Sequence, residues 1–516
     1  MSAPVPLPPL EPGARRLATV ALSLATFMNV LDTTIANVSL PNIAGDLGVS
    51  PSQGTWVITS FGVANAIAVP LTGWLSQRFG QVRLFVGSVV MFVIASLLCG
   101  LAHSLEMLIA ARVLQGAVAG PMIPLSQALL LQAYPREKSG MALAMWSMTT
   151  LVAPVLGPIL GGWLSDNLSW PWIFYINVPV GLGAAWLSWR LLKARESATR
   201  RLPIDKVGLA LLVIWVGALQ IMLDKGKELD WFASGEIVAL AAVAAVGFAL
   251  FVAWELTDAH PVVDLTLFAR PNFLFGVIAM ATGYGVFFGN VVVMPLWLQQ
   301  FMGYTATWAG LVTAPIGLLA LLLSPVIGKI LPRTDPRRIA TVAFLVFALV
   351  SFMRAGFSTD IATGNVVLPQ VIQGIAMATF FIPLVSITLS GLPLERVPSA
   401  SGVSNFVRIT FGAFGASLMT TLWERRAALH HEQLAAQVSS YNPVAGGVLD
   451  GMAAQGVDAT RALAVLERQV TVQAFSLAAN DVFWLSGVLF LGLVATVWLT
   501  RPAHGRPAAP GGDAAH

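Results

Sequence analysis

Apolar residues run along this chain in stretches of about 20, separated by short polar segments in which arginine and lysine collect. Fourteen stretches can be traced. They lie at about 17–40, 54–76, 83–102, 106–133, 141–164, 171–192, 206–223, 235–255, 273–298, 306–330, 339–357, 366–391, 400–423 and 480–500. At about 1.5 Å rise per residue, a helix of that length crosses the roughly 30 Å hydrocarbon core of a bilayer. The pattern predicts an all-α integral membrane protein.

Composition agrees. Hydrophobic residues make up 56% of the 516 and charged residues 10%, with a mean hydropathy of +0.77. A water-soluble chain of this size carries far more surface charge, so the apolar excess faces lipid. The single cysteine, Cys99, excludes an intrachain disulfide and a cysteine-based metal site. All six histidines fall in loops, in the long outer segment or in the tail, which leaves no intramembrane cluster for metal or nucleophilic chemistry. Nothing points to nucleic acid or to a cofactor. The proline-rich N-terminus, with five prolines before Gly13, resembles no signal peptide.

Charge placement orients the chain. With the N-terminus cytoplasmic, twenty of the 29 basic residues fall in inner segments, among them Arg78, Arg83, Arg333 and Arg338. Short outer loops take only Lys225, Lys227 and Arg354, and a long outer loop takes Arg425, Arg426, Arg461 and Arg468. Arg112 and Arg408 stay inside spans. Both termini are therefore expected in the cytoplasm. An internal echo divides the chain. Gly73, Arg78 and Arg83 recur as Gly328, Arg333 and Arg338, and Thr55-Trp56 recurs as Thr307-Trp308. Parallel repeats of this sort build a midplane site between two bundles.

Asp32 is the only carboxylate well inside a predicted span. A charged group at that depth costs a few kcal/mol unless it meets water, a cation or a proton. Burial favours the neutral form of a carboxylate and a nearby cation favours the charged form, so a site alternating between the two settings exchanges protons. Counting back from the outer ends of their helices puts Asp32 about 13 Å and Arg112 about 12 Å below the same surface. Equal depth allows a pair; facing is not readable from spacing. Asn29 and Gln115 are polar near the same layer, and either contact a ligand or bridge helices. Phe27, Trp146, Trp297, Phe380 and Phe381 are candidates for an apolar cavity, against the alternative of ordinary packing. Arg408 lies in the inner third of its span and either snorkels to the surface or braces an inner gate.

Five motifs follow one another on the expected spans. They are Leu31-Asp-Thr-Thr-Ile-Ala-Asn-Val-Ser-Leu-Pro41, Gly73-Trp-Leu-Ser-Gln-Arg78-Phe-Gly80, Arg112-Val-Leu-Gln115-Gly116, Pro154-Val-Leu-Gly157-Pro158-Ile-Leu-Gly161-Gly162 and Trp172-Ile-Phe-Tyr-Ile-Asn177-Val-Pro179. With Ser401-Gly-Val-Ser-Asn405-Phe-Val-Arg408, this set resembles the fourteen-span drug:proton antiporters of the major facilitator superfamily, the EmrB/QacA type. The resemblance implies two six-helix bundles, 1–200 and 261–516, joined by two extra transmembrane helices within 201–260. It also implies a proton-coupled exporter of hydrophobic drug-like molecules in the cell inner membrane, with proton coupling through Asp32 and Arg112. Gating roles fall on Gly73, Arg78, Gly80, Arg408 and the span-five motif residues Pro154, Gly157, Pro158 and Gly161. The family has an acid where this chain has Gln77, which leaves an acid-based latch at that position without its acid. An uptake permease or lipid exporter of the same fold, and an integral-membrane enzyme or receptor, are the alternatives.

The outer segment 424–479 is too long for a plain connection. Residues 424–438 continue the thirteenth span as a helix, Gly446-Gly447 form a turn, and Asp458 caps a second helix leading to the last span. The resulting helical hairpin is implied by the resemblance to dock a periplasmic membrane-fusion adaptor and, through it, an outer-membrane channel. The alternative is a solvated cap. The Ala/Pro/Gly-rich tail after Arg501 is expected to be disordered.

Overall fold

A computed structural model describes residues 10–135, 138–200, 203, 205–438 and 442–502. The tail from 503 onward lies outside the described residues. Within them every regular element is a helix. Ten helices are each long and apolar enough to cross a membrane, and Trp56–Ala68 with Thr72–Phe79, bent by 63°, makes an eleventh. The remaining three stretches lie on Ser139–Asn167, on Trp172–Tyr175 with Asn177–Leu192, and on Val397–Ala435. Two of the three differ for a physical reason: Asn177–Leu192 has only 16 unbroken residues, and Val397–Ala435 carries Ser399, Ser401, Ser404, Asn405 and Arg408.

Capping marks the helix starts. Ser104 accepts from the Met107 N–H at 3.3 Å, Asp205 from Gly208 at 2.8 Å, and Asp458 from Thr460 and Arg461 at 3.0 and 3.1 Å. The helices pack in two groups. The first span lies against the fifth and sixth, the second against the fourth, and the third against the fourth and sixth. In the other group the ninth lies against the thirteenth and fourteenth, and the twelfth against the tenth and eleventh. The seventh and eighth spans, Lys206–Lys225 and Gly235–Thr257, pair with each other, and the seventh rests on both the second and the thirteenth.

The internal echo has a structural meaning. A Cβ at Gly73 would stand 2.6 Å from the Ser399 Cβ, in the other group, and one at Gly328 would stand 2.8 Å from the Ala144 Cβ and from the Gly140 carbonyl. The two repeat glycines thus both sit at close contacts between the groups. Gly116 and Gly374 repeat a second contact, seating the fourth span on Phe61 and Ala64 of the second and the twelfth on Ile316 and Ala320 of the tenth.

The thirteenth span continues unbroken to Ala435, and the last begins at Ala459. Gly446 and Gly447 are not a turn. They lie in a helix of their own, Pro443–Ala454, which Asn442 caps by accepting from the Val444 N–H at 3.0 Å with Pro443 at the first helical position. The reversal comes at Gly456, whose φ of 80° suits glycine. Arg426 Nε and His430 Nε2 both meet Asp481, at 2.6 and 2.7 Å, and tie the hairpin's base to the last helix.

Valine at Gly73 puts branched carbons where Ser399 stands and should part the two groups there. In a Cys99→Ala background, a cysteine replacing Ser399 is expected to react with an impermeant maleimide much faster when Gly73→Val is added. Equal rates would show that this contact does not close the interface.

Candidate functional site

Asp32 sits in the middle of the first helix, Pro12–Asp46, and is fully buried. Arg112, on Leu105–Ala119, is 1% exposed, and its Nη1 donates to Asp32 Oδ2 at 2.5 Å. The equal depth expected of these residues is met by facing sides. Around the pair further polar groups converge. Gln115 Nε2 and Asn177 Nδ2 each donate to Asp32 Oδ1 at 3.0 Å, and both also reach the Ser96 hydroxyl. Arg112 gives its Nε to the Val57 carbonyl at 3.0 Å and a second bond from Nη1 to Gln115 Oε1 at 2.7 Å. Its guanidinium lies 4.2 Å from the Phe61 ring centre and 5.6 Å from that of Phe174. Five helices thus contribute to the bonding around one ion pair.

Ser96 and Asn177 were not among the expected site residues. Asn177 stands in one of the motifs, but its aim at Asp32 depends on how the sixth span is rotated. Span-five glycines set the first helix in place. A Cβ at Gly161 would stand 2.8 Å from the Ile35 carbonyl, and one at Gly157 would meet the Thr34 side chain, two residues along from Asp32. The Pro154 and Pro158 side chains lie outside the described residues.

A buried ion pair at the centre of an all-helical, two-group membrane fold is a combination that comparison with known proteins can place. Residues 22–416 match the Major Facilitator Superfamily. The chain belongs to that superfamily. It is 54% identical over 499 residues to the multidrug export protein EmrB of Haemophilus influenzae, covering 96% of this chain and 98% of that one. It is 51% identical to EmrB of Escherichia coli K12, covering 98% and 99%, and 49% identical to the fatty acid resistance protein FarB of Neisseria gonorrhoeae, covering 96% and 98%. Among solved structures it is similar in fold to the human organic anion transporter MFSD10, with a TM-score of 0.57 at 15% identity, covering 93% of this chain and all of that one. The fold class is therefore that of a major facilitator transporter.

Within this fold the other expected residues are scattered. Asn29 donates to the Ala119 carbonyl at 3.2 Å and bridges the first and fourth spans, while Phe27 beside it is half-buried. Trp146, Phe381 and Arg408 line one enclosed cleft between the two groups, with Gln127, Met280, Ser401, Ser404 and Asn405, and the cleft has room for about one water molecule. Arg408 is buried, donates to Asn405 Oδ1 at 2.8 Å, and lies 4.8 Å from the Tyr284 ring centre and 5.6 Å from that of Phe381. It does not snorkel. Phe380 points away into a packed cluster with Phe344 and Phe347. Trp297 is remote, donating to the Ser476 hydroxyl at 3.0 Å and stacking on Phe357.

At the opposite end of the second span, Arg78 lies over Trp74, and Gly80 takes a φ of 90°. The acid absent at Gln77 has a neighbour in space. The Glu196 carboxylate accepts from the Val82 and Arg83 N–H groups at 3.0 and 2.8 Å, against Gly80, and the Arg200 N–H donates to the Gln77 carbonyl. Arg354, expected in an outer loop, is instead the buried last residue of its helix and bonds to Gln370 and Gln373 of the twelfth span.

Removing one member of a buried pair leaves the other uncompensated, at a cost of about 3–5 kcal/mol. Arg112→Ala and Asp32→Asn should each lower the thermal midpoint of the purified protein. The double variant should lose much less than the two losses combined, because neither charge is then orphaned. Additive losses would mean the two residues stabilise the fold independently.

Proposed function

We propose that this chain is a proton-coupled multidrug exporter of the inner membrane, with both termini in the cytoplasm. The halves 1–200 and 261–516 alternate about the central cleft, taking protons inward and apolar compounds outward, and the helices within 201–260 join them. Multidrug export rests on the long, close likeness to proteins named for that activity. Coupling rests on one observation, the sealed Asp32–Arg112 pair.

Protonating Asp32 removes the charge that compensates Arg112, but the guanidinium keeps other contacts. Gln115 Oε1, the Val57 carbonyl and two aromatic faces remain as its partners. The site can therefore hold either protonation state with its polar groups satisfied, which a proton carrier requires. Gly157 and Gly161 transmit the change, since the fifth span presses on the first just beyond Asp32 and also meets the other half at Gly140. Trp146, Phe381 and Arg408 offer a migrating molecule aromatic faces and a cation as the cleft opens.

The hairpin supplies the docking surface for a periplasmic adaptor and the outer-membrane channel beyond it. Val444, Leu463 and Val465 are exposed on it, and apolar side chains exposed together favour a protein partner.

Transport into proteoliposomes with an imposed pH gradient tests the coupling. Asp32→Asn should abolish gradient-driven transport while the protein still folds and inserts, and Asp32→Glu should keep part of it. Full transport by Asp32→Asn would move the coupling group elsewhere.

Replacing 432–470 by a Gly/Ser linker separates the two roles. A flexible chain of several residues spans the distance of roughly 10 Å between neighbouring helix ends. Vesicle transport should survive, while drug resistance in cells and pull-down of the adaptor should both fall. Resistance and pull-down that persist would place docking elsewhere.

A further inference from the structure

Asp32 is not the only buried carboxylate. Where the two linking helices meet, at the end of the fold that bears both chain termini, Asp205 and Glu255 are buried side by side. Asp205 caps the seventh span, and its carboxylate also receives the Trp254 indole N–H, at 3.0 Å to Oδ1 and 3.1 Å to Oδ2. Glu255 comes from the last turn of the eighth span; its Oε2 accepts from the Val263 N–H at 3.0 Å. Its other oxygen, Oε1, is buried without a hydrogen-bond partner. That oxygen and Asp205 Oδ2 both lie at or inside 2.5 Å of the point a Cβ of Gly208 would occupy, which puts them within reach of each other. Only a glycine leaves that space.

Among the described residues the surrounding charges do not compensate the pair. Asp258 adds a third negative group within electrostatic range of Glu255. Asp264 is engaged with Arg396, and Glu196 with Arg83. Lys206, next to Asp205 in the chain, points out and is exposed. Among the described residues no Lys, Arg or His forms an ion pair with Asp205 or Glu255. Two ionised carboxylates cannot share such a site, because like charges in contact and out of water drive one of them to keep its proton.

We propose that Asp205 and Glu255 form a second proton-binding site, in which one proton bridges Glu255 Oε1 and Asp205 Oδ2. The site lies on the linking helices, away from Asp32 and the central cleft, so it senses the pH at that face instead of carrying the transported proton. With the proton bound, the two linking helices are joined. When it leaves, the two carboxylates repel, the Trp254 bond loosens, and the helices part at this end. The seventh span rests on both halves, so its attachment links the pH at this face to the freedom of the halves to move.

Trp254 reports the event directly. The full-length protein, purified in detergent, is titrated between about pH 5 and 9, the range into which a shared proton moves a carboxyl group. The emission of Trp254 is taken as the difference between the protein and its Trp254→Phe variant, which removes the other fifteen of the 16 tryptophans. Wild type is expected to show one titration. Glu255→Gln keeps the shape and a hydrogen-bond donor without the charge, and is expected to abolish it, as is Asp205→Asn. Hydrogen exchange over 205–212 and 255–263 should rise with pH in wild type beyond the rise seen in Glu255→Gln. A Trp254 signal flat across the range, or one unchanged in Glu255→Gln, overturns the proposal. Neither readout depends on drug transport, so a failure here is distinct from a failure of the coupling role of Asp32.

Discussion

A charge cannot sit in the middle of this fold without a partner, and that constraint organises the first half. Asp or Arg alone at the centre of a membrane helix costs about 2.5–3.5 kcal/mol on insertion scales. The pair of Asp32 and Arg112 removes the net charge, but an ion pair out of water is not self-sufficient. Every remaining lone pair and N–H must also be met. The second, third, fourth and sixth spans each deliver one group for that purpose: the Val57 carbonyl, Ser96, Gln115 and Asn177. Rotation of any of these helices breaks a bond to the site, so the pair fixes the angular setting of the bundle around it.

Glycine provides the complementary device, close approach without side chains. Gly157 and Gly161 bring the fifth span onto the first beside Asp32, and Gly116 brings the fourth onto the second beside Arg112. Gly73 and Gly328 do the same between the halves. A larger residue at these places forces backbones apart where a carbonyl or Cα faces the glycine, which a flexible neighbour could otherwise absorb. Polar closure and glycine contacts therefore act on the same helices. A change at the carboxylate has a short mechanical route to the interface of the halves.

The spans were legible in the sequence because lipid imposes a length and an apolarity that few other environments demand. The depth of Asp32 and Arg112 followed from the fixed rise per residue. What spacing cannot supply is rotation about a helix axis, and the side chains whose facing stayed open share that cause. Asn177 faces Asp32, Trp297 and Phe380 face packed clusters, and Arg408 faces the cleft; nothing in their spacing distinguishes these. The paired glycines at 446 and 447 suggested a turn, but Asn442 and Pro443 start a helix there and capping overrides the low propensity of glycine. Glu255 was passed over because it falls on the last residue of its predicted stretch, where a carboxylate ordinarily reaches water. The neighbouring segment at Val262 and Val263 folds over it instead.

The two halves repeat their contacts but not their charges. Arg112-Val-Leu-Gln115-Gly116 is echoed by Gln370-Val-Ile-Gln373-Gly374, so the arginine position of the fourth span is a glutamine in the twelfth. The cation of the second half comes from the eleventh span, as Arg354, and meets two amide oxygens and the ring of Phe483 where the first half has a carboxylate. Arg408 likewise meets an amide oxygen and two rings. Amides and aromatic faces do not titrate, so the partners of these arginines carry no exchangeable proton. Among the described residues, the first half sets a carboxylate against its buried cation, while the second surrounds its buried arginines with neutral groups. On the coupling proposed for Asp32, protonation would change the bonding of the first bundle and leave the amide and ring contacts of the second as they are.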